Sequence, residues 1–304
     1  MSSTPSTSLT TPVAPAPVTS GPVAAQPRAS KTRRWLRRYG LAALGASIIV
    51  GWILVAIFAP LIVTHSPVTV DVTQRLRPPS ADHWLGTDIL GRDVLARLVF
   101  GARISLFTGI VVVFIGALIG VTVGGIAAYA RGRTEELMMR TTDLVLCFPP
   151  IILALAIAAA LGIGSTNTII AMLVVWWPKF ARLARSLVMV QRSLDYVEAA
   201  VVLGLSPGRI LVRHIVPNCV GPLIVLITLD VGNAIITFAG LSFLGLGVVP
   251  PTPEWGSLVS EGRELIEQWW VATFPGLAIL TVVIGFNFLG DGIRDWLDPR
   301  ARRR

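Results

Sequence analysis

Long apolar runs separated by short Arg-bearing polar segments dominate the chain. Leu41 to Val63 is 23 residues without a charge, enough to cross a ~30 Å hydrocarbon core at ~1.5 Å per residue. A polar loop from Thr64 to Arg103 follows. A second span is predicted over 104–130, with glycines at 109, 116, 120, 124 and 125 that would let neighbouring helices approach closely. The third, 143–162, contains Pro149-Pro150, which predicts a kink in the helix. After a short turn, Gly164 to Asn167, the fourth span covers 168–187 and is expected to stay helical through Lys179, Arg182 and Arg185. The fifth and sixth lie at 219–249 and 271–293, with a Trp269-Trp270 pair that reads as an aromatic interface anchor. The pattern predicts an all-α integral membrane protein with six transmembrane helices.

Between the fourth and fifth runs lies a polar stretch, 191–218, that reads as helix, hinge and short helix. Glu198 to Leu203 are helix formers, and Gly204 falls where a left-handed residue would end a helix. Ser206 is a candidate N-cap, Pro207 suits the first helical position, and Pro217 is expected to stop the second helix. Ala199 and Ala200 offer close approach; Glu198, Arg209, Arg213 and His214 offer polar contacts. Such a knob suits being gripped by another protein.

Composition agrees with a membrane protein. Of the 304 residues, 53% are hydrophobic and 14% charged, with a mean hydropathy of +0.71; a soluble domain carries about a quarter charged residues. A net charge of +9 is of the sign that nucleic-acid binding needs, but the basic residues flank apolar runs instead of forming one basic face, which excludes that reading. With six spans, only Arg75, Arg77, Arg92, Arg97, Arg103 and Arg263 fall on the side opposite the knob, against 20 of 26 Lys and Arg on its own side. The positive-inside rule then places the knob and both chain ends in the cytoplasm. Residues 1–34 form a Ser/Thr/Pro/Ala-rich tail expected to be disordered, with no cleavable secretory segment, and 295–304 form a basic cytoplasmic end. Cys147 and Cys219 read as packing residues, and His65, His83 and His214 are too dispersed to suggest a metal or catalytic site. No cofactor is expected. No Walker-type phosphate loop occurs in the chain, so any ATP chemistry belongs to another polypeptide.

Four blocks carry a family resemblance. Glu198-Ala-Ala with Gly204, Ile215 and Pro217 resembles the cytoplasmic coupling loop of bacterial ABC-importer permeases, a type I permease fold. The resemblance implies that Glu198, Ala199, Ala200, Gly204, Ser206, Pro207, Arg209, His214 and Pro217 contact an ATPase. The outer segment His83-Trp-Leu-Gly-Thr-Asp-Ile-Leu-Gly-Arg-Asp-Val-Leu is similar to the C-type subunit of the dipeptide/oligopeptide/nickel class. So are Leu241-Ser-Phe-Leu-Gly-Leu-Gly to Glu254-Trp-Gly256, and the segments from Trp269 and Gly290 onward. By resemblance the partners are a homologous B-type permease, two ATPase subunits, an extracytoplasmic binding protein, the lipid membrane, and a peptide or similar small solute. The chain itself would be a transport subunit and not an enzyme. Within 35–103, Val94, Leu95, Leu98 and Val99 fall at helical spacing with Arg92, Asp93 and Arg97 on other faces. That predicts an amphipathic helix on the outer surface, either a plain anchor or a receiver for the binding protein, with Asp88, Arg92, Asp93 and Trp255 as candidate residues.

The chain departs from that class at one place. Many members carry an acidic residue just before the Leu-Ser-Phe-Leu-Gly block, where this chain has Thr237 and Phe238. It has Asp230 and Asn233 deeper in the fifth span instead. A carboxylate there costs at least ~2.5 kcal/mol on insertion scales, so it should face the transport path or a partner helix. An ion-coupled transporter using Asp230 is the rival reading; nickel- or glutathione-type solutes are alternative cargoes.

Overall fold

The computed structural model describes residues 31–130 and 132–297. The predicted tail over 1–30 and the basic end over 298–304 lie outside these residues. Regular structure among the described residues is helical. In chain order the elements are α1 (Lys31–Ile57), α2 (Ala59–Ile62), α3 (Val94–Ala130), α4 (Gly132–Leu146), α5 (Pro150–Leu161) and α6 (Ser165–Arg192). Then come α7 (Asp195–Val202), α8 (Pro207–Ile210), α9 (Val216–Phe243), α10 (Trp255–Gly262) and α11 (Trp270–Leu297). Lys31–Arg34, assigned above to the disordered tail, form the first turn of α1.

Four stretches are long and apolar enough to cross a membrane: 40–57, 94–130, 207–243 and 270–297. The bent pair α4–α5 makes a fifth if counted as one span. The 28 residues of α6 give length for another crossing, but Lys179, Arg182, Arg185 and Arg192 dilute its apolar half.

The core forms where α3 meets α6 and α9, with α11 packed on α9 and α1 on α11 and α3. Small residues set the closest of these contacts. A Cβ on Gly120 would stand 2.3 Å from Trp177 O, and one on Gly124 would stand 2.1 Å from Ala181 O, so the α3–α6 backbones touch. Phe180, Phe238, Ile235, Met172 and Trp176 fill the space around this seam.

Several local expectations are corrected, each by a visible cause. The apolar run 41–63 breaks at Phe58, with Pro60 opening the short α2. Pro149-Pro150 does more than kink a span. It separates α4 from α5 with an 89° bend, because Pro150 drives the preceding residue out of helical conformation and Pro149 sits at ψ 126°. Pro217 does not end the second helix of the knob. It lies in the first turn of α9, where a missing N–H is tolerated, and one wide π-type turn (Leu211–Ile215) carries α8 into α9 without a break. The fifth apolar run ends as helix at Phe243, not 249. Trp270 is buried and donates Nε1–H to Thr87 O at 3.2 Å, so only Trp269 of the pair is exposed. Cys219 is buried, whereas Cys147 is exposed.

Candidate functional site

The knob begins where α6 ends. Arg192 donates to Ala128 O and Tyr129 O at 3.3 and 3.2 Å, tying the end of α6 to the end of α3. Tyr196 OH donates to Gln191 Oε1 at 2.7 Å, and Asn218 Nδ2 donates to Tyr196 OH and His214 O at 3.1 and 2.8 Å. These bonds clasp α6, α7 and α9 together. At the hinge, Gly204 has φ +75°, Gly204 N–H donates to Val201 O, and Leu205 N–H donates to Ala200 O. This is the Schellman closure that a glycine permits at no steric cost. Ser206 occupies the N-cap position before Pro207, but its hydroxyl makes no capping bond.

Beneath the bend, Val197, Ala200, Ile210, Ile215 and Cys219 are buried together with Ala128, Val188 and Leu223. Ala200 therefore packs inward and is no contact surface; Ala199 beside it is exposed. Glu198, Arg209, Arg213 and Pro217 are exposed, and His214 enters the clasp through its carbonyl. The apolar tip is what sequence reading missed. Val202 and Leu203 are 87% and 80% exposed, with Val201 also open. The signal was available: two large apolar residues directly before a C-terminal glycine on a helix too short to bury both faces.

The outer-loop candidates form a second constellation. Asp88, Arg92 and Asp93 do not sit on a surface helix, because α3 runs unbroken from Val94 and Arg97 is 1% exposed. Asp88 receives Arg92 Nε at 2.7 Å and Arg97 Nη1 at 2.5 Å. Arg97 also forks onto Glu261, Nη1 to Oε2 at 2.5 Å and Nη2 to Oε1 at 2.9 Å, and Arg92 Nη2 adds 2.9 Å to the same carboxylate. Two guanidiniums and two carboxylates thus neutralise each other, joining the loop, α3 and α10. Asp93 caps α3 by accepting from Ala96 N–H at 2.7 Å. Trp255 is fully buried and donates Nε1–H to Leu98 O at 3.0 Å. Glu254 caps α10 through Gly256 and Ser257 N–H and accepts from Ser105 at 3.0 Å. Burial pushes its carboxyl above the usual range, against the pull of those donors. Arg97, Glu254 and Glu261 were not predicted; an acidic residue directly before Trp-Gly-Ser is a readable cap signal, whereas Glu261 carries no local one.

Asp230 is 3% exposed and faces a partner helix. Lys179 Nζ of α6 lies 2.5 Å from Asp230 Oδ2, an ion pair across α6 and α9. The same ammonium stands 3.9 Å from the Trp176 ring centroid, and Asn233 Nδ2 reaches Asp230 Oδ1 at 3.4 Å.

Comparison with known proteins shows what the chain is similar to. Residues 30–79 match the N-terminal transmembrane domain of oligopeptide transport permease C. A probable D,D-dipeptide transport system permease protein of Escherichia coli K12 is 44% identical over 262 residues, 86% of this chain and 88% of that protein. A dipeptide transport system permease protein of Alkalihalophilus pseudofirmus is 45% identical, with 88% of each chain covered. A glutathione transport system permease protein of Escherichia coli O6:K15:H31 is 44% identical over 88% of this chain and 89% of that one. In fold, the chain is similar to an inward-facing structure of the MetNI methionine ABC transporter, with a TM-score of 0.58 at 18% identity over 67% of this chain and 97% of that one. Over residues 120–303 it matches binding-protein-dependent transport system inner membrane components, and it belongs to that family as a multi-pass inner-membrane permease.

Proposed function

We propose that this chain is one of two permease subunits in an ATP-driven importer of short peptides, and that the 191–218 knob is where an ATPase subunit grips it. The observation that carries this reading is an apolar tip on a braced base. Val201, Val202 and Leu203 stand exposed beside Glu198 and Arg209, above a buried cluster that leaves the bend little freedom. Exposed apolar side chains grouped this way suit a protein partner. On this reading the knob and both ends of the chain lie in the cytoplasm, and α6 is the remaining span. A homologous B-type permease completes the path, two ATPases bind below, and an extracytoplasmic binding protein delivers cargo from above. Closure of the ATPases would push the knob as a lever and bias the spans between inward- and outward-open states.

Relatives named for D,D-dipeptide, dipeptide and glutathione transport support a short peptide as cargo. A nickel-type solute is the alternative. Affinity purification of the tagged chain from mild-detergent membranes, with co-purifying proteins identified by mass, tests the assembly. A second permease and ATPases should be recovered, with the ATPases lost on Val202→Asp/Leu203→Asp. Recovery of this chain alone would favour an ion-coupled transporter built around Asp230.

A further inference from the structure

We propose that His65, His83 and Asp93 bind one divalent transition-metal ion of the zinc class in the loop between α2 and α3. Two of the chain's three histidines, 18 residues apart in sequence, converge here on one carboxylate. One ligand atom from each residue lies within 4.8 Å of the others. The two imidazole rings are 4.9 Å apart at 42°, and His83 Nδ1 is 2.9 Å from Asp93 Oδ1. A cavity of about 380 Å³ opens beside them, lined also by Thr64, Ser66 and Gln74. Imidazole with carboxylate selects zinc, nickel or copper over calcium and magnesium, and three protein ligands leave a fourth position for water.

The His83–Asp93 contact is already half of such a site. One proton now joins the two atoms; the ion would take its place and the proton would leave to solvent. Asp93 Oδ2 is held by Ala96 N–H, so the carboxylate is oriented from the far side. Donor atoms around a tetrahedral ion sit about 3.4 Å apart for bonds of ~2.0–2.1 Å. The needed closure falls on His65, which is exposed and bonded only to its neighbour Thr64. Asp71 also borders the cavity but is committed to Thr73 N–H and Oγ1 at 3.0 and 2.6 Å. An ion here would pin the end of the α1–α2 unit to the first turn of α3, independently of what the protein transports.

The test uses the full-length chain with its co-purifying subunits, purified without a polyhistidine tag and stripped with chelator. Titration with Zn²⁺ should find one more tight site per copy of this chain than in His65→Ala, and His83→Ala should weaken binding by about 10-fold or more. Zn²⁺ should raise the melting temperature of the wild type and not of His65→Ala, while Mg²⁺ and Ca²⁺ should not compete. Because His65 is exposed, its alanine variant keeps the fold. Equal zinc binding by wild type and His65→Ala, or none by the wild type, would overturn the proposal and leave a plain His83–Asp93 hydrogen bond.

Discussion

Arg97 is a charge with almost no access to water, and its neighbours account for that. Its fork onto Glu261 and its bond to Asp88 answer the guanidinium on two sides, while Arg92 balances the second carboxylate. Glu261→Ala would leave two buried guanidiniums sharing Asp88. Breaking a buried pair this way costs about 3–5 kcal/mol, so the variant should show a sharply lowered melting temperature or lose folded protein in detergent. Lys179 and Asp230 form a smaller version of the same arrangement. Asp230→Asn should lower the yield of monodisperse protein, and Lys179→Met/Asp230→Leu should recover part of it, because removing both charges leaves none unpaired. Transport by the recovered double variant separates the two roles open to Asp230: retained transport makes it structural, and lost transport at full folded yield places it on the path.

Among the elements, the α4–α5 corner depends most visibly on two residues. Pro149 and Pro150 lack the N–H groups that would carry a helix through, and Pro150 holds Pro149 extended. Pro149→Ala/Pro150→Ala should let α4 and α5 straighten. Spin labels at the exposed positions Leu137 and Leu161 should then move apart in pulsed electron resonance; an unchanged distance would mean that packing against α3 and α6 sets the corner. The opposite outcome was met at Pro217, where a proline expected to end a helix is absorbed in a first turn after a wide π-type turn. Sequence identifies prolines, but whether one breaks or opens a helix depends on the hydrogen bonds just upstream.

For the whole molecule, the knob is useful only if its angle is transmitted to the spans. Gly204 sets that angle at φ +75°, a conformation that costs other residues roughly 1–2 kcal/mol. Gly204→Val should therefore leave the chain in the membrane while transport falls and ATP hydrolysis no longer responds to cargo. Unchanged transport and coupling would refute the lever. The apolar runs, the bend at Gly204 and the start of a helix at Pro207 were legible in order along the chain. The apolar tip before Gly204 was legible in the same way, although its signal was passed over; the buried charge network and the histidine pair were not.

That division has a physical origin. Lipid offers no hydrogen bonds to a backbone, so a long apolar run must close its bonds within itself as helix; hydropathy and local capping residues determine this without any distant partner. The setting of each charge is different. Arg97 is burdened or satisfied according to Glu261, 164 residues away, and His65 meets His83 only because the α2–α3 loop folds back on itself. Burial of a charge is a property of the groups that surround it, and only the tertiary structure brings those groups together.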